Sequence, residues 1–287
     1  SLKHRPYGQA GMDLNLEYGF WWLEWGGQLD TIKDNEIIRD ELLAALMGVW
    51  DFIKNDSEID AENWALEWCG FVPGKRESRR LKGQYRLCES DLMQSKAFSD
   101  SIATGGWPID IHPPSGIDAI DEPPCNQSPL PHLYDIPLSS CIASDLRNLM
   151  FAGRNISATH IAFASTRVMA TCSAIGQGVG TAAAYAIRNG TEPESLPTDP
   201  DALFNIRQQL LRDDALLLDC RNEDPRDLAR QAIITASSEQ ADGPANTVID
   251  GWTRSLINPS ETRGDGPIGA PPDRFPDAPH RWMSDPT

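Results

Sequence analysis

The chain has 287 residues, 40% hydrophobic and 23% charged, a composition typical of a folded globular protein with a sizeable core. It carries 25 Lys and Arg against 42 Asp and Glu, a formal net charge of −17, which disfavours nucleic acid and anionic membranes as partners. No apolar run approaches the roughly 18 residues of a membrane-spanning helix. Six scattered cysteines lack metal-ligand spacing, so we predict no metal site.

The first informative segment is aromatic. Residues 18–27 read YGFWWLEWGG and place three tryptophans within five positions, with Glu24 between them. Bulky aromatic side chains suit a strand or a pocket wall. Core packing is the simpler interpretation of any single tryptophan, but so dense a group favours at least one lining a ligand cavity. Trp22 is our candidate for contact with a substrate.

Two helices are predicted next. Apolar residues at spacings of four, four, three and four predict an amphipathic helix over 35–54, with Asp34 as its N-cap. A shorter helix is predicted over about 58–68, ending before Gly70. We interpret both as scaffold.

Residues 71–92 contain a basic cluster that contrasts with the acidic composition of the chain. Lys75, Arg76, Arg79 and Arg80 fall within six positions. One interpretation is a solvated turn balanced by nearby acids. The other is a clamp, because guanidinium groups bind anionic or polar oxygens in bidentate geometry. The three arginines are therefore candidate substrate ligands.

Residues 99–137 are rich in proline and are predicted to be mainly loop. A loop of this length inside a domain is usually functional. His112 lies here, two residues after Asp110 and directly before two prolines. A structural histidine and a catalytic one are both consistent with this pattern.

The stretch 148–190 carries the strongest pattern. We predict a strand at Leu149–Ala152, a turn and loop over 153–164, and a helix over Arg167–Arg188. Ser165 or Thr166 would cap this helix, and Asn189-Gly190 would end it.

The predicted helix is built mainly from small residues and contains three glycines. A glycine inside a helix costs roughly 1 kcal/mol relative to alanine, which indicates close approach of another element or a ligand. The run Gly176-Gln177-Gly178-Val179-Gly180 imitates a dinucleotide fingerprint, but its spacing is G-x-G-x-G and it lies within a helix. The 287 residues contain no G-x-G-x-x-G.

Downstream, Asp199 and Pro200 predict the cap and first turn of a helix over about 200–213. Leu203, Ile206 and Leu210 would form its buried face. From residue 228 the composition predicts a β-rich module.

Three stretches resemble one protein family. PGKRESRRLKGQYRLCESDL (73–92), SIATGGWPIDIHPP (101–114) and NLMFAGRNISATHIAFASTRVMATCSAIGQGVGTAAA (148–184) resemble bacterial FAD-dependent oxidoreductases of the glutathione-reductase-like superfamily. The tail resembles the start of a discoidin-like (factor 5/8 type C) carbohydrate-binding module. Because the chain lacks the family's phosphate-binding glycine motif, we expect it to correspond to the carboxyl-terminal portion of such an enzyme and to bind FAD weakly or not at all by itself.

The resemblance implies an α/β fold with α+β character and four regions. These are a substrate-domain portion (1–147), a flavin-contacting strand, loop and helix (148–190), a linker with a helix (191–227), and a partial discoidin-like module (228–287). FAD is the implied cofactor, with the amino end of the 167–188 helix directed at the flavin. The cofactor residues that the resemblance implies are Gly153, Arg154, Asn155, Ser157, Ala158, Thr159, Arg167, Gly176, Gln177, Gly180 and Thr181.

The implied activity is hydride transfer from a polar substrate, in our interpretation a carbohydrate, to the flavin. His160 is the first candidate base and His112 the second. The candidate substrate residues are Arg76, Arg79, Arg80, Trp22 and Trp107. A polysaccharide lyase and a carbohydrate-binding protein are the alternatives. Oligomeric state and cellular location stay open.

Overall fold

The computed structural model describes residues 21–55, 60–241 and 243–252. The chain divides into two compact units. The first comprises Ser1–Ser78 and Asp110–Gln127, and the second Arg79–Ile109 and Ser128–Thr287. The described residues form helices and two small two-stranded sheets, without a barrel, which is consistent with an α/β domain of the FAD-binding type.

Helix α1, Asn35–Asn55, confirms the amphipathic helix predicted for the first unit. Its buried residues include Val49 and Ile53, which pack with Ala61. At its start, the Asp34 carbonyl accepts the N–H of Ile38 at 3.0 Å. The apolar face of α1 therefore forms the small core of this unit.

The helix predicted over about 58–68 is wrong for residues 60–68, which hold one turn and otherwise no helix or strand; residues 58 and 59 lie outside the described ranges. The ammonium group of Lys54 donates to the carbonyls of Ala61, Glu62 and Trp64 at 2.7, 2.9 and 2.9 Å. The Ala61 carbonyl also accepts the N–H of Trp64, three residues later, at 3.1 Å, so the segment forms a turn instead of a helix.

A glycine turn packs directly against the aromatic segment of the first unit. Gly116 has φ +54°, and a Cβ there would lie 2.0 Å from the carbonyl oxygen of Glu24. The same oxygen accepts the N–H of Ile117 at 2.8 Å. Strand β2, Ile109–Ile111, precedes this turn, and β3, Asn126–Ser128, follows it and pairs with β2. The turn thus fixes the main chain of Glu24.

The second unit is built on strands β1, Ser101–Gly105, and β4, Tyr134–Pro137, which pair antiparallel with an irregularity between Ser101 and Ala103. Both lie within the range predicted as mainly loop. Four of the five β1 residues and all of β4 are buried. Strands buried on both faces lack the alternation of polar and apolar residues that identifies a strand.

Helix α2, Glu89–Met93, precedes β1. After β4, α3 spans His160–Thr166 and α4 spans Met169–Asn189. Helix α4 packs across β1. Helix α5, Pro200–Arg212, lies beside α4. It confirms the helix predicted over about 200–213. The predicted cap is also confirmed, because the Asp199 side chain accepts the N–H groups of Asp201 and Ala202 at 3.0 Å.

The end of α4 is confirmed and its start is corrected. Gly190 ends it with φ +62°. It begins two residues later than predicted, after Val168 and without a side-chain cap. Ser165 and Thr166 belong instead to α3, which lies partly in the predicted loop. Thr159 caps that helix by accepting the N–H of Ala162 at 3.2 Å.

The strand predicted at Leu149–Ala152 is also wrong. Only an isolated antiparallel bridge between Ile142 and Met150 forms there. The flanking backbone bonds are the N–H of Ala143 to the carbonyl of Leu149 at 3.0 Å, and the N–H of Phe151 to the carbonyl of Cys141 at 2.9 Å. The segment pairs too briefly to count as a strand.

Residues 228–252 contain two 3-10 turns, Leu228–Gln231 and Ala245–Ile249, and an isolated bridge between Gln240 and Gly243. The remainder of the predicted tail module, 253–287, lies outside the described residues. The partial discoidin-like module stays a prediction.

Of the three glycines in α4, only Gly178 packs closely. A Cβ at Gly178 would lie 2.7 Å from the carbonyl oxygen of Ile102 on β1. Gly176 and Gly180 are exposed and have no described atom within 4 Å of such a Cβ. Close packing through the glycines is thus confirmed at Gly178 and wrong at the other two positions.

These glycines give a matched pair of substitutions. We expect Gly178→Ala to lower the melting temperature, because the added methyl group must push α4 away from β1. We expect Gly176→Ala to raise stability by about 0.5–1 kcal/mol through helix propensity alone. Thermal and urea unfolding of both variants checks this, and an unchanged melting temperature for Gly178→Ala contradicts the described packing.

Candidate functional site

In the second unit, two stretches that carry predicted site residues run side by side. The N–H of Leu81 donates to the carbonyl of Asn155 at 2.8 Å, and the N–H of Leu87 to that of Ser157 at 3.0 Å. The N–H of Thr159 donates to the carbonyl of Leu87 at 2.8 Å. The predicted cofactor loop is therefore held by main-chain bonds to the segment that follows the arginine cluster.

The main-chain bond between Leu81 and Asn155 shows where Arg79 and Arg80 lie relative to the predicted cofactor loop. Arg80 is half-buried and directly precedes Leu81, so it lies beside the Asn155 loop, while Arg79 is exposed. The Oδ1 atom of Asn155 is buried and has no hydrogen-bond partner among the described residues. A buried polar atom of this kind is a natural acceptor for a ligand's donor.

The charge at the other end of the loop acts on a residue in the first turn of α4. Gly153 has φ +87° and leaves open space where a Cβ would be. Arg154 is exposed. Burial raises the pKa of the Cys172 thiol, and the positive charge of Arg154 partly offsets that rise. The Arg154 guanidinium group therefore acts electrostatically on the first turn of α4.

The junction between α3 and α4 is polar and open. Arg167 is half-buried, and the first residue of α4, Met169, is 89% exposed. The Oγ1 atom of Thr166 is buried without a hydrogen-bond partner in the described ranges, and the Thr166 carbonyl accepts the Cys172 thiol at 3.5 Å. With no side-chain cap, the first amides of α4 present the positive end of the helix dipole.

Other predicted residues of this unit lie differently. Ser157 and Ala158 are buried, so only their main chain is available to a ligand. His160 is exposed at the first position of α3. Trp107 is 46% exposed, and its carbonyl accepts the Ser165 hydroxyl at 2.5 Å.

The remaining predicted cofactor residues belong to a separate groove. Gly176 is seven residues into α4, about 10 Å along the axis from Met169. The groove lies between α4 and α5 and has a volume of about 860 Å³. The predicted residues that line it are Gly176, Gln177, Gly180 and Thr181. The structure brings residues 153–159 and the start of α4 together, but it separates this second group from them.

In the first unit, His112 lies between two carboxylates. Its Nδ1 is 2.7 Å from Glu24 Oε2, and its Nε2 is 3.6 Å from Asp110 Oδ1. Arg76 donates to Glu24 Oε1 at 3.1 Å. The ring of Trp21 meets the His112 ring edge-on, with centroids 5.9 Å apart. The sequence shows Asp110 two residues before His112, but it gives no sign that His112 also pairs with Glu24, which is 88 residues from it in the sequence.

In this cluster, the charges and the burial of His112 and Glu24 shift their pKa values in opposite directions. Burial lowers the pKa of His112, but the carboxylates of Asp110 and Glu24 outweigh it and raise the pKa above its usual value. Burial raises the pKa of Glu24, but His112 and Arg76 outweigh it and lower the pKa. Trp22 is only 2% exposed, in accordance with core packing rather than a pocket wall.

The cluster predicts a pH window for stability. Because its folded pKa is raised, the contribution of His112 is complete below pH 6.5 and is lost as pH rises through that pKa. Because its folded pKa is lowered, the contribution of Glu24 is complete above pH 4.5 and is lost as pH falls. Glu24→Gln should therefore lower the melting temperature most between these two values.

Melting curves of the wild type and Glu24→Gln from pH 3 to 9 measure this difference. Glu67→Gln, at an exposed position of the same unit, is the matched control. A melting-temperature difference that does not vary with pH would contradict the ion pair.

Within the described ranges, none of the helices combines the length and apolar character that crossing a membrane requires. Those same ranges hold no group of three or more His, Cys, Asp or Glu side chains arranged to bind a metal ion.

The comparisons with known proteins gave one match. A family model described as FAD dependent oxidoreductase matches residues 5–210. Neither the curated proteins nor the solved structures yielded a match. The family's cofactor is FAD, and its members act on small-molecule substrates. Since the match covers well over half of the 287 residues, the chain belongs to the FAD dependent oxidoreductase family.

Proposed function

We propose that this oxidoreductase holds the flavin end of FAD at the amino end of α4. The single observation that carries the proposal is the amino end of α4, which has no side-chain cap and where burial raises the pKa of Cys172 against the smaller, opposite effect of the Arg154 charge. A helix amino end carries about half a positive charge, and a guanidinium group beside it adds a full one. Together they favour the negative charge that a reduced flavin develops.

The residues around this point fit the cofactor. Gly153 lacks a side chain and has positive φ, so the main chain of the loop offers a surface for close approach. Asn155 and Thr166 each contribute a buried oxygen without a described hydrogen-bond partner. When bound, FAD supplies the hydride acceptor for oxidation of the substrate.

The proposed base is His160, with His112 as the second candidate. His160 is exposed at the start of α3, six residues before the last residue of that helix, Thr166. Both ring nitrogens of His112 face carboxylates, at 2.7 and 3.6 Å. His112 would have to leave one of them to accept a substrate proton, so its present contacts favour an electrostatic role.

We propose a carbohydrate or similar polyol as the substrate class. Trp107, 46% exposed, offers an aromatic surface for stacking on a sugar ring. Arg79 and Arg80 offer donors for hydroxyl or carboxylate oxygens, and Arg80 lies beside the Asn155 loop through the Leu81 main-chain bond. Trp22 is buried, so its ring is not available to a substrate.

For the flavin site, Arg154→Ala and Arg167→Ala should each reduce FAD retention or lower the flavin potential, because each removes positive charge near the start of α4. Titration with FAD followed by flavin fluorescence, and a redox titration of the FAD-saturated protein with reference dyes, measure both effects. Arg147→Ala, at an exposed arginine whose side chain is 71% exposed, is the matched control. If both variants behave like this control, the flavin site lies elsewhere.

For the base, His160→Ala should slow flavin reduction by about 10²–10⁴-fold with little change in bound flavin. Anaerobic stopped-flow measures the rate, with the aldose or polyol that reduces the wild-type flavin fastest in a panel. A rate within a few-fold of wild type would leave His160 a structural residue, and His112→Gln would then be measured in the same way.

A further inference from the structure

Two buried hydroxyl groups connect the half-exposed Trp107 to the end of α3. The Tyr134 and Ser165 oxygens are 2.6 Å apart, and the Ser165 hydroxyl donates to the Trp107 carbonyl at 2.5 Å. Since serine has one hydroxyl hydrogen and gives it to Trp107, Tyr134 must donate to Ser165. The bonds therefore have one direction, from Tyr134 through Ser165 to Trp107.

The donor at the start of this chain is fixed in place. Tyr134 is 1% exposed, and burial raises the pKa of its hydroxyl far above the usual value, so it stays protonated at any physiological pH. A Cβ at Gly105, on the paired strand β1, would lie 2.4–2.6 Å from the outer atoms of the Tyr134 ring. The ring thus packs against bare main chain, two residues before Trp107.

Ser165, the middle member of this chain of bonds, adjoins the proposed flavin site. Ser165 is fully buried and directly precedes Thr166, whose carbonyl accepts the Cys172 thiol of α4 at 3.5 Å. The main chain of Trp107 and the first turn of α4 are therefore tied to adjacent residues at the end of α3.

We propose that Tyr134 and Ser165 are positioning residues that hold Trp107 in place as a wall of the substrate site. The inference rests on the proposed role of Trp107 in substrate binding. Trp107 lies between Gly106 and Pro108, so its own neighbours in sequence offer it no side-chain hydrogen bond. Its fixed contact is the carbonyl, and Ser165 supplies the donor.

The position of Trp107 is testable without a substrate. In protein labelled with 5-fluorotryptophan, the ¹⁹F resonance of residue 107 is assigned by its loss in Trp107→Phe. We expect Ser165→Ala to shift or broaden that resonance and to leave those of the other eight tryptophans unchanged. Ser173→Ala, the same substitution at an exposed position of α4, should change none of them.

Tyr134→Phe provides a second variant, because it keeps the ring packed against Gly105 and removes only the hydroxyl. We expect it to move the 107 resonance less than Ser165→Ala does, since Ser165 can still donate to Trp107. If Ser165→Ala does not fold, as judged by circular dichroism, a shifted 107 resonance in Tyr134→Phe still supports the proposal. An unchanged 107 resonance in every folded variant overturns it.

The consequence for binding is tested by titration with methyl β-D-glucopyranoside, followed through the same resonance. We expect Ser165→Ala to weaken binding about tenfold, because a displaced indole loses its contact with the sugar ring. Equal affinity in wild type and Ser165→Ala overturns the positioning role. If the wild-type resonance does not respond to the glucoside, the proposed carbohydrate substrate is contradicted, and the resonances of the unliganded variants still decide the positioning of Trp107.

Discussion

The second unit depends on the contact between α4 and β1. At Gly178 the helix lies so close to Ile102 that any side chain would overlap the strand's carbonyl oxygen. Glycine at this point costs helix propensity, and the packing that its absent side chain permits offsets that cost. Because β1 leads directly to Trp107 and the proposed flavin site is at the amino end of α4, one contact relates the proposed substrate wall to the proposed flavin site.

A second constraint is the exchange of main-chain bonds between residues 81–87 and 155–159. These bonds are insensitive to side-chain identity, so the sequence carries little sign of them except at Gly83. A Cβ there would lie 2.8 Å from the Cβ of Ser157 and 2.9 Å from the carbonyl oxygen of Ser139. Gly83 therefore marks the point at which its own segment meets those of Ser139 and Ser157.

The elements that the sequence predicted correctly are those with a local signal. Helix α5 has a capping aspartate and a proline at its start, and α4 has a glycine at its end. Helix α1 has a continuous apolar stripe. The elements that were missed depend on distant partners. Strands β1 and β4 are buried on both faces, and α3 is capped by Thr159, whose N–H donates to the carbonyl of Leu87.

The same distinction applies to the candidate site. The motif indicated residues 153–159 and 167, which local sequence keeps together. The motif did not show that Gly176 and Thr181 line a different groove, because the side of a helix on which a residue lies open depends on what packs against that helix. The pairing of Glu24 with His112 spans 88 residues, and no spacing rule connects positions so far apart. Long-range pairs of this kind require the fold.

The proposed flavin site contains two buried polar atoms that affect the stability of the fold. A buried polar group without a hydrogen bond costs about 1–3 kcal/mol. Asn155 Oδ1 and Thr166 Oγ1 are two such atoms among the described residues, and both lie in the segment between Gly153 and the start of α4. A native fold retains such groups where something else repays the cost. A ligand that donates to either oxygen recovers part of it on binding, so the affinity for that ligand and the stability of the segment rise together.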